Sequence, residues 1–534
     1  AWFRRVLTRG LSPQPDQRFE DMRALMRELS VDPSARRRKW GLMAVGGVVV
    51  AAATVFGVRA FMSEPELCPV EQAQERWSEA WNEGRHAQVR ASFEATELPY
   101  AEMTADTVSR TMGRYAGEWT RIYTEACRAT HVLREQSEDM LDLQMSCLRS
   151  RRMHAESLVE EFEHADASVV QNAVEAVLTL PRLESCEDTQ SLAGRMRLPD
   201  DPKTRQTVED ARRVIHEASA KSSAGRYAPA LKLVENVQRE VSDVNYPPVQ
   251  ADALLLEGKI RERMGDFVGS EARLLDAIWT AESVGYDPIA AEAWVQLVWV
   301  TGVERVDTEM GHLWAEFARA AVQRAGDDEL LSAQLTHNTG GVFYREGRLE
   351  EALEHYRKAL EAQTALLGPD EPAVAMTLNH IGNTLMEKGD YATAKEYCER
   401  SLELRRKRLG SRHPKVAASL NNLAELFRKK QEPSKSLEFA KQSLDIVGGT
   451  GGPEEAIGLV LASDALSALQ RWEERAANDR RLLELREHSR PDNDPSVAGA
   501  LRRLASSLTE LGRTEEADAL LARAQTIEAA RALQ

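Results

Sequence analysis

The chain has 534 residues and a formal net charge of −16, too long for one hydrophobic core and therefore built from several domains or from a repeated array. The charge is uneven: residues 1–39 hold ten Lys or Arg against five Asp or Glu, a balance of +5, so the remainder carries −21. So acidic a remainder argues against nucleic acid as a partner, because phosphate binding needs net cationic surface. Aromatic residues are only 6%, while Ala, Leu, Glu and Arg dominate, which suits long amphipathic helices.

Residues 1–32 read as a short helix, a polar turn and a second amphipathic helix. Trp2, Phe3, Val6 and Leu7 recur at helical spacing, Leu11 to Asp16 breaks the run with two prolines, and Phe19, Met22, Leu25, Met26 and Leu29 mark an apolar face. Thirty-two residues cannot bury a self-sufficient core, so this piece is expected to belong to a larger domain; a chain opening on Ala1 rather than Met is expected of a fragment or a processed product. The run LTRGLSPQPDQRFEDMRALMREL, residues 7–29, resembles the last segment of the C-terminal lobe of eukaryotic-like bacterial serine/threonine protein kinases. The resemblance implies that Arg18 forms a structural ion pair with a glutamate at the end of the activation segment. The Gly-rich loop with its strand lysine, the His-Arg-Asp loop and Asp-Phe-Gly are absent from this sequence, so no catalytic residue and no cofactor is assigned to it. ATP and Mg would belong to a kinase domain outside it.

Residues 33–39 are a basic segment ending in Arg36, Arg37, Arg38 and Lys39, and 40–62 read as a transmembrane helix. From Trp40 to Val58 there is no charge and Thr54 is the one polar side chain; about 19 residues at 1.5 Å rise approach the thickness of a bilayer. The cations before the span predict residues 1–39 in the cytoplasm and 63–534 across an inner membrane, periplasmic or extracellular. Gly47, Ala51 and Thr54 share one face, a pattern that would support a homodimer.

Residues 63–204 read as a helical domain anchored by Trp77, Trp81, Phe93, Tyr115, Trp119 and Tyr123. His86, His131 and His154 match no common metal-ligand spacing, and no metal site is expected. Four of the five cysteines, Cys68, Cys127, Cys147 and Cys186, fall here, without a Cys-x-x-Cys pair. An even count suggests two disulfides, the alternative being four buried thiols. The polar run Arg134 to Asp139 reads as a turn, and Cys127 and Cys147 each lie ten residues from Ser137. They are therefore expected to face each other across a helix pair, leaving Cys68 with Cys186. The run WTRIYTEACRATHVLREQSEDMLDLQMSCLRSRR resembles the segment linking span to repeats in large myxobacterial-type kinases, which implies architecture and no ligand.

Residues 205–534 repeat, most clearly with a period of 42: Gly347 aligns with Gly389, Ala352 with Ala394, Gly368 with Gly410, Pro372 with Pro414, and Asn379 with Asn421. Each unit reads as two helices joined by a Gly-containing turn, and a period of this length means stacked units burying their faces against neighbours. The fragments TLNHIGNTLMEKGDYATAKEYCERSLELRRKRLG and SLNNLAELFRKKQEPSKSLEFAKQSLDI resemble tetratricopeptide repeats in the longer form of kinesin light chains. Gly382, Gly389, Tyr391 and Ala394 occupy the packing positions, and the second copy departs with Gln431 at the turn glycine and Pro433 at the tyrosine. About eight helix pairs are expected. Gly448–Gly452 is no phosphate loop, since no Lys-Ser or Lys-Thr follows, and Cys398 sits at a packing position.

The fold class expected is all-α: a single transmembrane helix, a helical domain and a tetratricopeptide-type α-solenoid. The resemblance implies a concave surface, lined by the first helix of each pair, for a protein or peptide. Asn338, Asn379, Asn421 and Asn422 stand out there, because a carboxamide donates and accepts as a peptide backbone does; Lys388, Arg428 and Lys430 could receive acidic groups. The function expected is the sensor region of a receptor-type serine/threonine kinase, the alternative being a non-enzymatic membrane-tethered scaffold or assembly factor.

Overall fold

The computed structural model describes residues 2–31, 67–189, 199–491 and 494–532, in two units, Ala1–Pro69 and Val70–Gln534. All regular structure among the described residues is helical. None of these helices is long and apolar enough to cross a membrane. The all-α expectation is therefore met by a helical solenoid, and the single transmembrane helix is corrected: no described helix supports it. The stretch 40–62 on which it was placed lies outside the described residues, as do the basic segment 33–39 and the face Gly47, Ala51 and Thr54.

In the first unit, helices Trp2–Gly10 and Met22–Ser30 flank a short 3-10 turn, Pro15–Gln17. Asp21 caps the second helix by accepting from the Ala24 amide at 2.6 Å. Arg9 lies over the Phe19 ring, 4.7 Å from its centroid. Arg18 donates from Nε to the Ser12 carbonyl at 2.6 Å, closing the proline turn. Phe3, Leu7, Leu11, Met22 and Met26 are exposed.

The second unit opens with helices Val70–Ser78, Glu83–Glu94, Ala101–His131, Glu138–Glu163 and Ala167–Leu178. Phe93 and Phe162 meet edge to face at 5.6 Å, and Trp77 packs 5.5 Å from Trp119. Trp119 places its indole N–H on the Leu148 carbonyl at 2.8 Å, which satisfies the polar end of a buried aromatic. Cys147 bonds to Cys186, with Cα atoms 5.6 Å apart, and Cys68 and Cys127 are also disulfide-bonded. The expected pairings of Cys127 with Cys147 and of Cys68 with Cys186 are thereby corrected. The physical reason is the placement of the turn. The first helix ends at His131 and the next begins at Glu138, so Cys127 sits about 6 Å from its helix end and Cys147 about 13 Å from its helix start. Equal distance from Ser137 in sequence is not equal height along the pair.

From Pro202 onward the described residues form eight helix pairs, from Pro202–Ser223 with Tyr227–Val241 to Pro495–Glu510 with Thr514–Ala532. Proline at the first helical turn recurs at Pro202, Pro247, Pro372, Pro414, Pro453 and Pro495, where its missing N–H costs nothing. The turn inside a pair needs one left-handed residue. Gly389 supplies it with φ of 87°, and Gln431 adopts the same conformation, with φ of 59°, at the position where glycine is lacking. The helix Asp287–Trp299 continues as a π-turn, Val300–Glu304. There Gly302 lies so close to Gly311 that a Cβ on Gly302 would stand 3.0 Å from the Gly311 Cα.

The helical domain touches the array both beside it in sequence and far along the chain. Beside it in sequence, Glu161 pairs with Lys221 and Arg226 at 2.6 and 3.0 Å, and a Cβ at Gly225 would meet Asn172 and Ser168 within 2.8 Å. Far along the chain, His413 donates from Nε2 to the Gln171 carbonyl at 3.0 Å across 242 residues. Lys415 forms an ion pair with Glu175, and the Tyr100 ring lies 4.8 Å from that of His413.

Candidate functional site

The first helix of each pair presents residues three, four and seven apart on one face. On Pro372–Lys388 that face holds Met376, Asn379, His380 and Asn383, opposite the side where Leu378, Ile381, Gly382 and Leu385 are buried. Gly382 is small because the second helix comes near: a Cβ there would stand 2.6 Å from the Cys398 sulfur. Cys398 is a buried free thiol, its pKa pushed up to about 12 by burial.

The four asparagines divide into two kinds. Asn338 is buried and donates to the Val295 carbonyl at 2.9 Å; Asn421 is buried and donates to the Glu454 carbonyl at 3.0 Å. Both join consecutive first helices. Asn379 and Asn422 are half-buried, and Asn422 donates its amide to the Asn379 side-chain oxygen. Among the described residues the Asn379 amide and the Asn422 oxygen make no further hydrogen bond, so a donor and an acceptor stand side by side across two helices.

The cations are each paired. Lys388 reaches Glu350 at 2.6 Å, Arg428 holds Glu425 through Nε at 2.6 Å, and Lys430 reaches Glu432 at 3.0 Å. Lys430 also lies over the Phe427 ring, 5.4 Å from its centroid. These pairs are exposed or nearly so, and each is worth a few tenths of a kcal/mol to about 1 kcal/mol, little for an acidic ligand to displace.

Beside the asparagines lies a group that sequence reasoning passed over. Trp299 stacks parallel to His380 at 6.0 Å, and His337 lies 4.9 Å from His380 and 5.1 Å from Tyr356. Trp299 reaches across because the helix between carries Gly341, whose Cβ would stand 3.1 Å from the indole. Thr377 donates to Gln363 at 2.7 Å and so accepts from Nδ1–H of His337 at 3.0 Å, leaving His337 Nε2 a bare acceptor. His337 Nε2, His380 Nδ1 and Asn383 Oδ1 are all buried without a hydrogen-bond partner. Burial holds His337 down to about 3 and His380 to about 4, His380 adding to the first and Arg405 to the second, so both rings are neutral near pH 7. The signal was present in the sequence. At a period of 42, His337 aligns with Asn379 and Asn421, and His380 with Asn338 and Asn422.

The tetratricopeptide repeat family matches residues 331–385 and 373–447, and this part of the chain carries such repeats. No curated protein matches the chain. Among solved structures it is similar to the apo quorum sensor NprR from B. thuringiensis, at 14% identity over 72% of this chain and 99% of that one, with a TM-score of 0.49. It is also similar to apo RapI, at 14% identity over 70% and 97% with a TM-score of 0.43. A Podosopora anserina putative kinesin light chain with TPR-like repeats is similar at 20% identity over 37% and 94%, with a TM-score of 0.33.

Proposed function

We propose that the repeat array binds an extended segment of a protein or peptide along the face formed by Met376, Asn379, Asn383 and Asn422. The observation that carries this reading is the Asn379–Asn422 pair, which leaves one amide donor and one carboxamide acceptor adjacent on half-buried surface, the pairing a peptide backbone presents. Asn338 and Asn421 hold the helices that shape this face. Panning a phage-displayed random dodecapeptide library against the intact chain tests the reading. Selected peptides are expected to lose roughly tenfold or more in affinity against Asn379→Ala with Asn422→Ala, the loss of one or two hydrogen bonds. Equal affinity for the double variant would remove the groove assignment.

A second reading concerns residues 2–31. The exposed apolar side chains Phe3, Leu7, Leu11, Met22 and Met26 favour a place against further protein, and the order of helix, proline turn, Arg-Phe pair and helix supports the tail of a serine/threonine kinase lobe. In such a parent, ATP and Mg would act in the kinase domain, and the array would be its sensor. A reading frame upstream of Ala1 without a Gly-rich loop, a His-Arg-Asp loop and Asp-Phe-Gly would refute this. The disulfides support folding of the helical domain in an oxidising compartment outside the cytoplasm.

A further inference from the structure

We infer that the contact between helix Ala167–Leu178 and the Gly410–Lys415 connection is a clasp that sets the curvature of the helix pairs between, and with it the width of the groove. The inference rests on the proposed groove only for what the curvature does to a ligand.

One short helix holds both ends. Asn172 and Ser168 crowd Gly225 in the first pair, while Gln171 and Glu175, on the same helix, take His413 and Lys415 at the start of the sixth pair. Tyr100 and Met103 cover Gly410, where a Cβ would meet the Met103 sulfur at 3.3 Å. The chain between is thereby a closed ring of stacked elements. A solenoid whose units touch only their neighbours takes its curvature as the sum of small rotations, one per unit, and tying the first pair to the sixth fixes that sum.

The two ends of the tie differ in strength. Glu161 on the first-pair side is buried with two cations. The far side consists of one hydrogen bond to a backbone carbonyl, the packing of Tyr100 and Met103 on His413 and Gly410, and an ion pair whose partners are 33% and 38% exposed, with no buried ion pair like that of Glu161 among the described residues. The far side therefore opens first, without unfolding either partner, and a ligand that prefers one groove width biases the clasp by its difference in affinity for the two states.

Charge reversal at the ion pair tests this without any ligand. Spin labels on Glu102→Cys and Arg412→Cys, both exposed positions flanking the contact, report its width by double electron–electron resonance in the full chain. Expected are a single short distance in the otherwise unaltered chain, and a longer second population in Glu175→Lys or Lys415→Glu, its weight relative to the short one raised roughly tenfold, equivalent to about 1.4 kcal/mol. The swapped double variant should return to the short distance. Hydrogen exchange is expected to rise over the connection 410–415, where the Lys415 amide is held by His413, and stay constant over helices Ala167–Leu178 and Pro453–Ala468, separating opening from misfolding. Unchanged distances in both single reversals, or a double variant that stays open, would overturn the clasp. Failure of peptides to bind while the clasp opens as described would remove the groove reading alone.

Discussion

His413 is held neutral by its two partners: Nδ1 accepts from the Lys415 amide at 3.1 Å while Nε2 donates to the Gln171 carbonyl at 3.0 Å. A protonated imidazole has two donors and no acceptor, so it cannot keep the helix cap. Burial lowers its pKa from 6.5 to about 4, with Lys415 and Arg405 adding to the fall and the Gln171 carbonyl and Glu175 opposing it; Tyr100 closes the remaining side.

The folded pKa lies below the unfolded one, so the contribution to stability is whole above 6.5 and is lost as pH falls from 6.5 toward about 4. His413 alone lowers stability by about 1.4 kcal/mol per pH unit across that window and by nothing further below it. His413→Asn keeps a capping oxygen and does not titrate. Thermal unfolding at several pH values should show a smaller fall in melting temperature for this variant than for the parent between pH 6.5 and 4.

Gly302 and Gly311 hold two helices in backbone contact. A Cβ there would stand 2.6 Å from Val342 Cγ2 and 3.0 Å from the Gly311 Cα, and one on Gly311 would stand 2.7 Å from the Gly302 Cα. Two backbones, rather than the tip of a flexible side chain, must move apart. Gly302→Ala and Gly311→Ala are each expected to cost about 1–3 kcal/mol in denaturant unfolding, whereas Gly499→Ala, with nothing within 4 Å, should not destabilise.

The helices and their pairing were legible because they are local. Period, proline at the first turn and glycine at the second turn all lie within one unit, and each is a short-range preference of the backbone. The contact of Gln171 with His413 was not, since nothing in either neighbourhood records a partner 242 residues away. The asparagines of the proposed groove were chosen by residue type, which selected Asn379 and Asn422 together with the buried Asn338 and Asn421 and passed over His337 and His380 at equivalent positions. Residue type identifies a polar group in a repeat; burial decides whether it faces a neighbour or a ligand.

Gln431, like Val306 and Gln470, stands where other pairs have a left-handed glycine. Its φ of 59° is left-handed, which costs a side-chain-bearing residue about 1–2 kcal/mol and glycine almost nothing. The residue is exposed, so no packing is lost on replacement. Gln431→Gly is expected to stabilise the chain by about 0.5–1 kcal/mol after the greater entropy of glycine in the unfolded chain is counted. Gly389→Gln, at φ of 87°, should destabilise it by a similar or larger amount. Urea midpoints of the two variants moving in the same direction would contradict the turn argument.

The Cys147–Cys186 bond holds the end of the helical domain. It joins residues 39 apart in sequence, and closing a loop of that length removes unfolded-state entropy worth about 4 kcal/mol in the chain-entropy model. Cys186 lies in the short 3-10 helix Glu184–Cys186, whose few backbone bonds cannot hold it against the core; the bond does so. Its neighbours Leu183 and Leu148 are buried in the same core, so loss of the bond should loosen the end of the helical domain before the repeats feel it. Cys147→Ser with Cys186→Ser is expected to raise hydrogen exchange first over residues 180–187 and then over the helical domain, leaving helices Pro372–Lys388 and Pro414–Lys429 at parental rates. Equal loss of protection across the repeats would mean instead that the helical domain and the array unfold as one cooperative unit.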